Sequence, residues 1–301
     1  MNVFRKSHMV ASVASYNFYM WHKNTRVIAT FILSFILCFL LTDKTVQFAQ
    51  AHETTMQLVE AFVWTFGDSN SILLVSLLLL LLFADMPFIS PATPLYLVRT
   101  TRKLWVAGQL LYTALSTIIY LGFVLASTAV LCMRYAFVKN TWSRTAAILA
   151  YSEEGKEIAL PAFVKTLEMS RPYECMAVIF LLMLSYTLVM VFLMLFFNLW
   201  KGQIAGVCSV IIFSTYGLLL NPQNIIQLLD MPPQLAYKAR VFVGWVLPLN
   251  HATYHMHNFG YDNLPTIQQT LFVFGGLFIV LIGATVLIMK KYNFQFRGTE
   301  G

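Results

Sequence analysis

The sequence predicts an all-α membrane protein with six transmembrane helices, an N-terminal amphipathic interfacial helix and an outer re-entrant hairpin before span 6. Three observations carry this reading. Of 301 residues, 58% are hydrophobic and 11% charged, whereas a soluble globular chain holds roughly 45–50% apolar and about 25% charged residues. The apolar residues gather in six runs, at 27–42, 71–90, 104–133, 176–200, 203–220 and 270–289. Most approach the ~20 residues a helix needs to cross hydrocarbon and exceed the ~10-residue alternating strands of a membrane barrel. Basic residues cluster at one set of run ends, which is how membrane topology is written. The same figures exclude an ordinary soluble enzyme, a disordered chain and a nucleic-acid binder.

Residues 1–24 form the interfacial element. Met9, Val13, Tyr16 and Met20 recur at helical spacing, with Val10 and Trp21 beside them and Arg5, Lys6 and Lys23 flanking. Such a stripe lies in the headgroup plane, either as an anchor or as a lever against a cytoplasmic partner. No apolar core and small-residue cleavage site of a secretory signal precede Arg26.

The second run is almost pure leucine over 71–84 and reaches spanning length with 85–90. Asp85 is its one acid, and a carboxylate at a span edge needs a partner. Arg99 and Arg102 of the following loop are the candidates, which makes Asp85 a structural ion pair before it is a proton relay. The loop carries Pro87, Pro91 and Pro94; with Thr93 as N-cap and Pro94 at the first helical position, the spacing predicts a short helix over 94–103.

Placing both termini inside puts Arg5, Lys6, Lys23, Arg26, Arg99, Arg102, Lys103, Lys201, Lys290, Lys291 and Arg297 on one side, against the single acid Glu300. The other side holds nine Lys+Arg against eleven Asp+Glu. The excess of basic residues near span ends favours this orientation. The inner connections are then short and the outer ones long, at 43–70, 134–175 and 221–269. Glu153 and Glu154 read as a solvated turn of the second outer loop. No internal repeat supports an inverted-repeat transporter.

The 221–269 segment has apolar pieces at 225–229 and 241–249, cut by Pro222, Pro232, Pro233, Pro248 and Pro265. Pieces this short read as re-entrant or interfacial. His251 and His255 stand at a spacing that can hold zinc on a helix, but with no Glu after His251 and Asp262 the nearest acid they read, with His257, as interfacial polar residues and not as a metal site. The four cysteines form no C-x-x-C pair; Cys132 and Cys175 both fall at outer span ends, where a disulfide is conceivable. The chain has no G-x-x-x-x-G-K-[ST], no complete H-E-x-x-H and no G-x-S-x-G, so no catalytic residue is assigned.

The elbow before span 1, the six spans, the Pro-rich basic loop 88–109 leading into a long span 3, and the Val246-Leu247-Pro248-Leu249-Asn250-His251 turn before span 6 together resemble the permease subunits of ABC-2-type transporters, whose transmembrane domain is the ABCG-like exporter fold. The resemblance covers nearly the whole chain. It implies a single permease domain in a bacterial plasma membrane, both termini cytoplasmic. It also implies a separate ATP-binding subunit carrying Mg-ATP, and a second permease copy, identical or related. The family's coupling-helix position falls on Pro94, Leu95, Tyr96, Leu97, Arg99 and Arg102. On this reading the path for a peptide, lipid-like or drug-like cargo lies between two permeases and is lined from spans 2 and 5. Ser76, Asn198, Gln203, Ser209, Ser214 and Tyr216 are its candidate lining, and Pro232, Pro233, Trp245 and Pro248 the outer gate. The rivals are an ion-coupled transporter, which needs buried ionisable groups, and a peptide-binding sensor or immunity protein that works through its outer loops.

Overall fold

A computed structural model describes residues 3–87, 100–152, 164–220, 222–230, 232–290 and 292. Helix dominates. In chain order the elements are α1 (Val3–Tyr19), α2 (Thr25–Ala51), β1 (Met56–Gln57), α3 (Glu60–Phe66), α4 (Ser69–Phe83), α5 (Arg102–Cys132), β2 (Ala136–Phe137), α6 (Arg144–Tyr151), α7 (Val164–Met169), α8 (Pro172–Lys201), α9 (Gln203–Leu219), α10 (Pro222–Leu228), α11 (Ala236–Val246), α12 (Pro248–Ala252) and α13 (Ile267–Met289).

Among the described residues four helices, α2, α5, α8 and α13, are long and apolar enough to cross a membrane, and the bent pair α3–α4 makes a fifth if it counts as one span. These helices fit a multi-pass membrane protein. α4 has 15 residues, roughly 22 Å of helix against ~30 Å of hydrocarbon. It ends at Phe83, so the expected span to residue 90 stops short. α9 is a shorter apolar helix. α2 runs past the expected end at residue 42 to Ala51 and carries Asp43 and Lys44 in its last turns.

α8 is the axis of the bundle. It packs against α9, α13, α5, α4, α3 and α12, and 67% of its most apolar stretch is buried, against 11% for α13. The bare faces of α2 and α13 present Ile32, Phe39, Phe272 and Ile279 outward. Side chains this apolar remain exposed at low cost only where the solvent is lipid.

The two ends of the bundle differ. At the elbow end α1 packs along the first turns of α5. The buried face is Val13, Ala14 and Asn17, rotated from the Met9–Val13–Tyr16–Met20 stripe read from the sequence. The rotation follows from polar pairing. Asn17 Nδ2 donates to Gln109 Oε1 at 3.0 Å and Trp21 Nε1 donates to the Tyr112 hydroxyl at 2.7 Å, so α1 docks as a helix against a helix. Gly108 makes the close approach possible, since a Cβ there would lie 2.6 Å from Val13 Cβ.

The opposite, cap end is built by α3, α6, α7, the 253–265 segment and a short parallel pairing, Met56 with Ala136 and Gln57 with Phe137. α3 turns 90° from α4 and is buried along its whole length. Trp64 packs tilted against Trp142 at 5.3 Å between ring centres, and Trp142 Nε1 donates to the Ser170 carbonyl at 2.7 Å. Cys132 and Cys175 are both free, buried thiols; Cys132 Sγ donates to the Leu58 carbonyl at 3.4 Å. The conceivable disulfide is not formed.

Candidate functional site

The elbow end gathers the groups that flank the 88–99 connection. Pro94, Leu95, Tyr96, Leu97 and Arg99 lie outside the described residues, as do Glu153 and Glu154, so the site is read from the residues around that loop. Upstream, α4 ends at Phe83 and the chain passes through Ala84, Asp85, Met86 and Pro87. Met86 is fully buried. Asn198, from the last turn of α8, donates through Nδ2 to the carbonyls of Met86 at 2.6 Å and Ala84 at 3.3 Å. These carbonyls are left open where a helix stops, and a side-chain amide satisfies them.

Asp85 pairs with Arg26 of α2. Of the expected partners, Arg99 lies outside the described residues, and Arg102 is the first residue of α5, where its guanidinium donates to the Lys290 carbonyl at 3.1 Å. Arg102 and Lys103 thus belong to the long helix and not to a loop helix over 94–103. Arg26 is set by Asn24, whose side chain accepts from the Arg26 N–H at 3.0 Å and caps α2. Downstream of the loop, Thr101 caps α5, accepting from Leu104 N–H at 3.4 Å.

The α8–α9 turn closes the site. Gly202 has φ 95°, a left-handed backbone that favours glycine, so the chain reverses in one residue. Gly206 then lets α9 lie against α8; a Cβ there would sit 1.7 Å from Asn198 Oδ1 and 2.8 Å from the Met194 carbonyl. Between α2, α4 and α9 opens a groove of about 500 Å³, lined by Arg26, Leu81, Ala84, Asp85, Gln203, Ile204, Val207 and Cys208. Its chemistry is that of an ion pair and one amide over an apolar floor.

The candidate path residues do not converge within one chain. Ser76 is buried and bridges α4 to α8 through Thr187 Oγ1 at 3.1 Å. Asn198 is engaged as above. Ser209 Oγ donates to the Gly206 carbonyl at 2.7 Å, and Ser214 is buried. Gln203 and Tyr216 lie exposed on α9. Of the gate residues, Trp245 is partly exposed with Nε1 donating to the Asn263 carbonyl at 3.0 Å. Pro248 starts α12, and Pro232 with Pro233 sits between α10 and α11.

The cap end holds a second polar centre. Glu60, fully buried, accepts from the Ser143 N–H at 2.7 Å through Oε1 and faces the Ser143 hydroxyl at 2.6 Å through Oε2. Burial pushes its carboxyl up to about 7, against the pull of the Ser143 bonds. His255 and His257 are pushed down to about 4, chiefly by burial. His251 and His255 have separate partners, Thr270 and the Gly67 carbonyl, so the helical spacing does not bring them to one point. Glu60 was not singled out from the sequence, although it is the lone acid opening an otherwise uncharged apolar stretch through Phe66; Arg26 as a partner of Asp85 carried no sequence signal, being 59 residues away.

Comparison with family models, curated proteins and solved structures found no match to this chain.

Proposed function

We propose that this chain is the membrane permease subunit of an ATP-driven exporter. The observation that supports it is mechanical. Just before residues 88–99 Asn198 holds the Met86 carbonyl, and just after them begins a single 31-residue helix, α5, braced by α1. A push on such a loop moves a whole helix instead of dissipating. In this reading α4 serves as span 2 and α9 as span 5, α3 belongs to the outer cap, the 221–269 segment is a re-entrant gate, and both termini face the cytoplasm. Two permeases meet along α4 and α9, so that Gln203 and Tyr216 border a shared path suited to an amphipathic cargo. A separate subunit binds Mg-ATP and docks on Tyr96, Leu97 and Arg99.

The test is the double variant Tyr96→Ala, Arg99→Glu in nanodiscs, read by pull-down of an ATP-binding subunit and by cargo-stimulated hydrolysis. Loss of both with normal expression supports the reading. Wild-type binding and stimulation in the variant leave the loop a topological anchor, and a wild-type chain that recruits no ATPase removes the exporter reading. Orientation is checked with single cysteines at Gly155 and Gly298 in a cysteine-free background, where an impermeant reagent should label only the first in intact cells.

A second reading, proton-coupled transport without ATP, is favoured by one observation: Glu60 is a buried carboxyl whose proton equilibrium lies near neutrality. Transport driven by a pH gradient in vesicles lacking ATP, abolished in Glu60→Gln, would select it.

A further inference from the structure

The three histidines near residue 251 have no place in the exporter reading, and two of them are joined by an unusual chain of contacts. His251 Nε2 lies 2.9 Å from the Trp245 carbonyl. His251 Nδ1 lies 2.8 Å from Thr270 Oγ1, which lies 3.0 Å from His257 Nε2. His257 Nδ1 lies 3.0 Å from the Thr253 carbonyl and 3.1 Å from that of Tyr254. All three side chains are buried, His251 at 1% exposure and Thr270 and His257 at 0%.

Hydrogens in this chain can be counted. There are four contacts: carbonyl to His251, His251 to Thr270, Thr270 to His257, and His257 to its carbonyl pair. Each joins atoms that bear lone pairs, so each needs one hydrogen between them. A neutral imidazole supplies one, a hydroxyl supplies one, and carbonyls supply none. Three hydrogens serve four contacts. Whichever tautomers the rings adopt, the neutral chain leaves two lone pairs facing each other in a buried place, which is costly. One added proton fills the gap: an imidazolium N–H then donates to Thr270, whose hydroxyl donates to the other ring.

We propose that His251, Thr270 and His257 form a binding site for a single proton, set in the joint between the turn after α11 and the first turn of α13. The proton comes from the medium and adds one positive charge. A second proton is opposed by repulsion between the two rings. Facing the pair are Lys165 of α7, which repels an imidazolium on His257 and is paired with Asp262, and His255 from the same turn. The Phe274 ring lies 6.1 Å from that of His251, and Glu174 and Cys175 of α8 act on the intervening Tyr254. Burial holds both rings below the ordinary histidine range, with Lys165 adding to it at His257, so the site loads in acid and stands empty at neutrality. The filled chain closes all four contacts, but because the rings hold a proton less readily here than when exposed, acid favours the open joint and neutrality the closed one. The joint is therefore a two-state element whose populations follow pH. This inference does not depend on the exporter reading.

The experiment is ¹⁵N-histidine NMR of the full chain in nanodiscs from about pH 7.5 to about pH 2.5, with His251→Gln and His257→Gln for assignment. The expected result is one proton taken up in a single transition seen at both rings. Thr270→Val should lower proton affinity about tenfold and separate the two rings, since the imidazolium loses its acceptor. Thr270→Ser, which keeps the hydroxyl, should retain the shared transition and serves as the folded control. Independent titration of the two rings in the wild type, no uptake while the protein stays folded, or an unchanged titration in Thr270→Val would each overturn the proposal.

Discussion

Asn198 Nδ2 donates to the Met86 carbonyl at 2.6 Å, so the last turn of α8 grips the chain three residues beyond the end of α4. The same Asn198 side chain lies beneath Gly206 of α9. One residue thereby fixes α4, α8 and α9 at the point where the 88–99 loop departs. Removing it leaves buried carbonyls without a donor, at a cost of about 1–3 kcal/mol.

Gly206→Ala should be worse than an ordinary glycine replacement, because the added methyl would meet Asn198 Oδ1 at 1.7 Å. Combining it with Asn198→Ala removes that collision but not the one with the Met194 carbonyl at 2.8 Å. Thermal unfolding in detergent should show the double variant to be less damaged than the sum of the singles. Strict additivity would mean the two side chains do not share the space.

Asp85 and Arg26 are a weaker pair, with side chains 43% and 52% exposed. Exposed ion pairs contribute about 0–1 kcal/mol, so Asp85→Asn should shift the unfolding midpoint little and leave transport near the wild-type rate. A loss of transport without loss of stability would make Asp85 a coupling group and favour the ion-driven alternative.

Gly108→Ala tests the elbow. Its Cβ would press on Val13 Cβ at 2.6 Å and Cγ1 at 2.7 Å, with the Val10 carbonyl at 3.1 Å. The helices must part, which strains the Asn17–Gln109 and Trp21–Tyr112 bonds. Overpacking of this kind costs about 1–3 kcal/mol. Faster proteolysis within residues 1–24, measured against the wild type, is the expected readout; unchanged cleavage would mean α1 is not held by α5.

Helix content and the main apolar segments were legible because spanning helices are written in long uncharged runs, and α5, α8 and α13 begin within three or four residues of the expected places. The sites were less legible, for a physical reason. Hydropathy gives the length of a helix but not its rotation or its neighbours. The α1 face was misread because Asn17 is buried by pairing with Gln109, 92 residues away. Asn198 and Ser76 read as path residues because polar groups in apolar helices suggest a channel; within this chain they bond to the Met86 carbonyl and the Thr187 hydroxyl, contacts that hydropathy does not show. The histidines could be seen as a motif, but Thr270, which joins two of them, sits inside a helix start with nothing in the local pattern to mark it.

Glu60 yields the sharpest pH prediction. Its proton equilibrium in the folded chain is raised to about 7 from an ordinary 4.5. A group raised on folding contributes stability that is fully present below its unfolded value and is lost as pH rises through its folded value. Its contribution should therefore fall progressively between about pH 4.5 and about pH 7, by an amount on the order of 3 kcal/mol for the full shift. His255 and His257, lowered to about 4, act in the other direction: their contribution is present above about 6.5 and is lost as pH falls toward 4. Thermal stability should thus peak between these losses, near pH 6.5. Glu60→Gln mimics the protonated acid, since its carbonyl can accept from Ser143 N–H and its amide can donate to the Ser143 hydroxyl. It should leave the profile below about pH 4.5 unchanged, steepen the rise from there to about 6.5 and abolish the decline above it. Glu60→Ala strands the Ser143 N–H and should cost about 1–3 kcal/mol at every pH. A Glu60→Gln protein that still loses stability on passing pH 7 would place the alkaline transition elsewhere and leave Glu60 an ordinary ionised cap of the Ser143 turn.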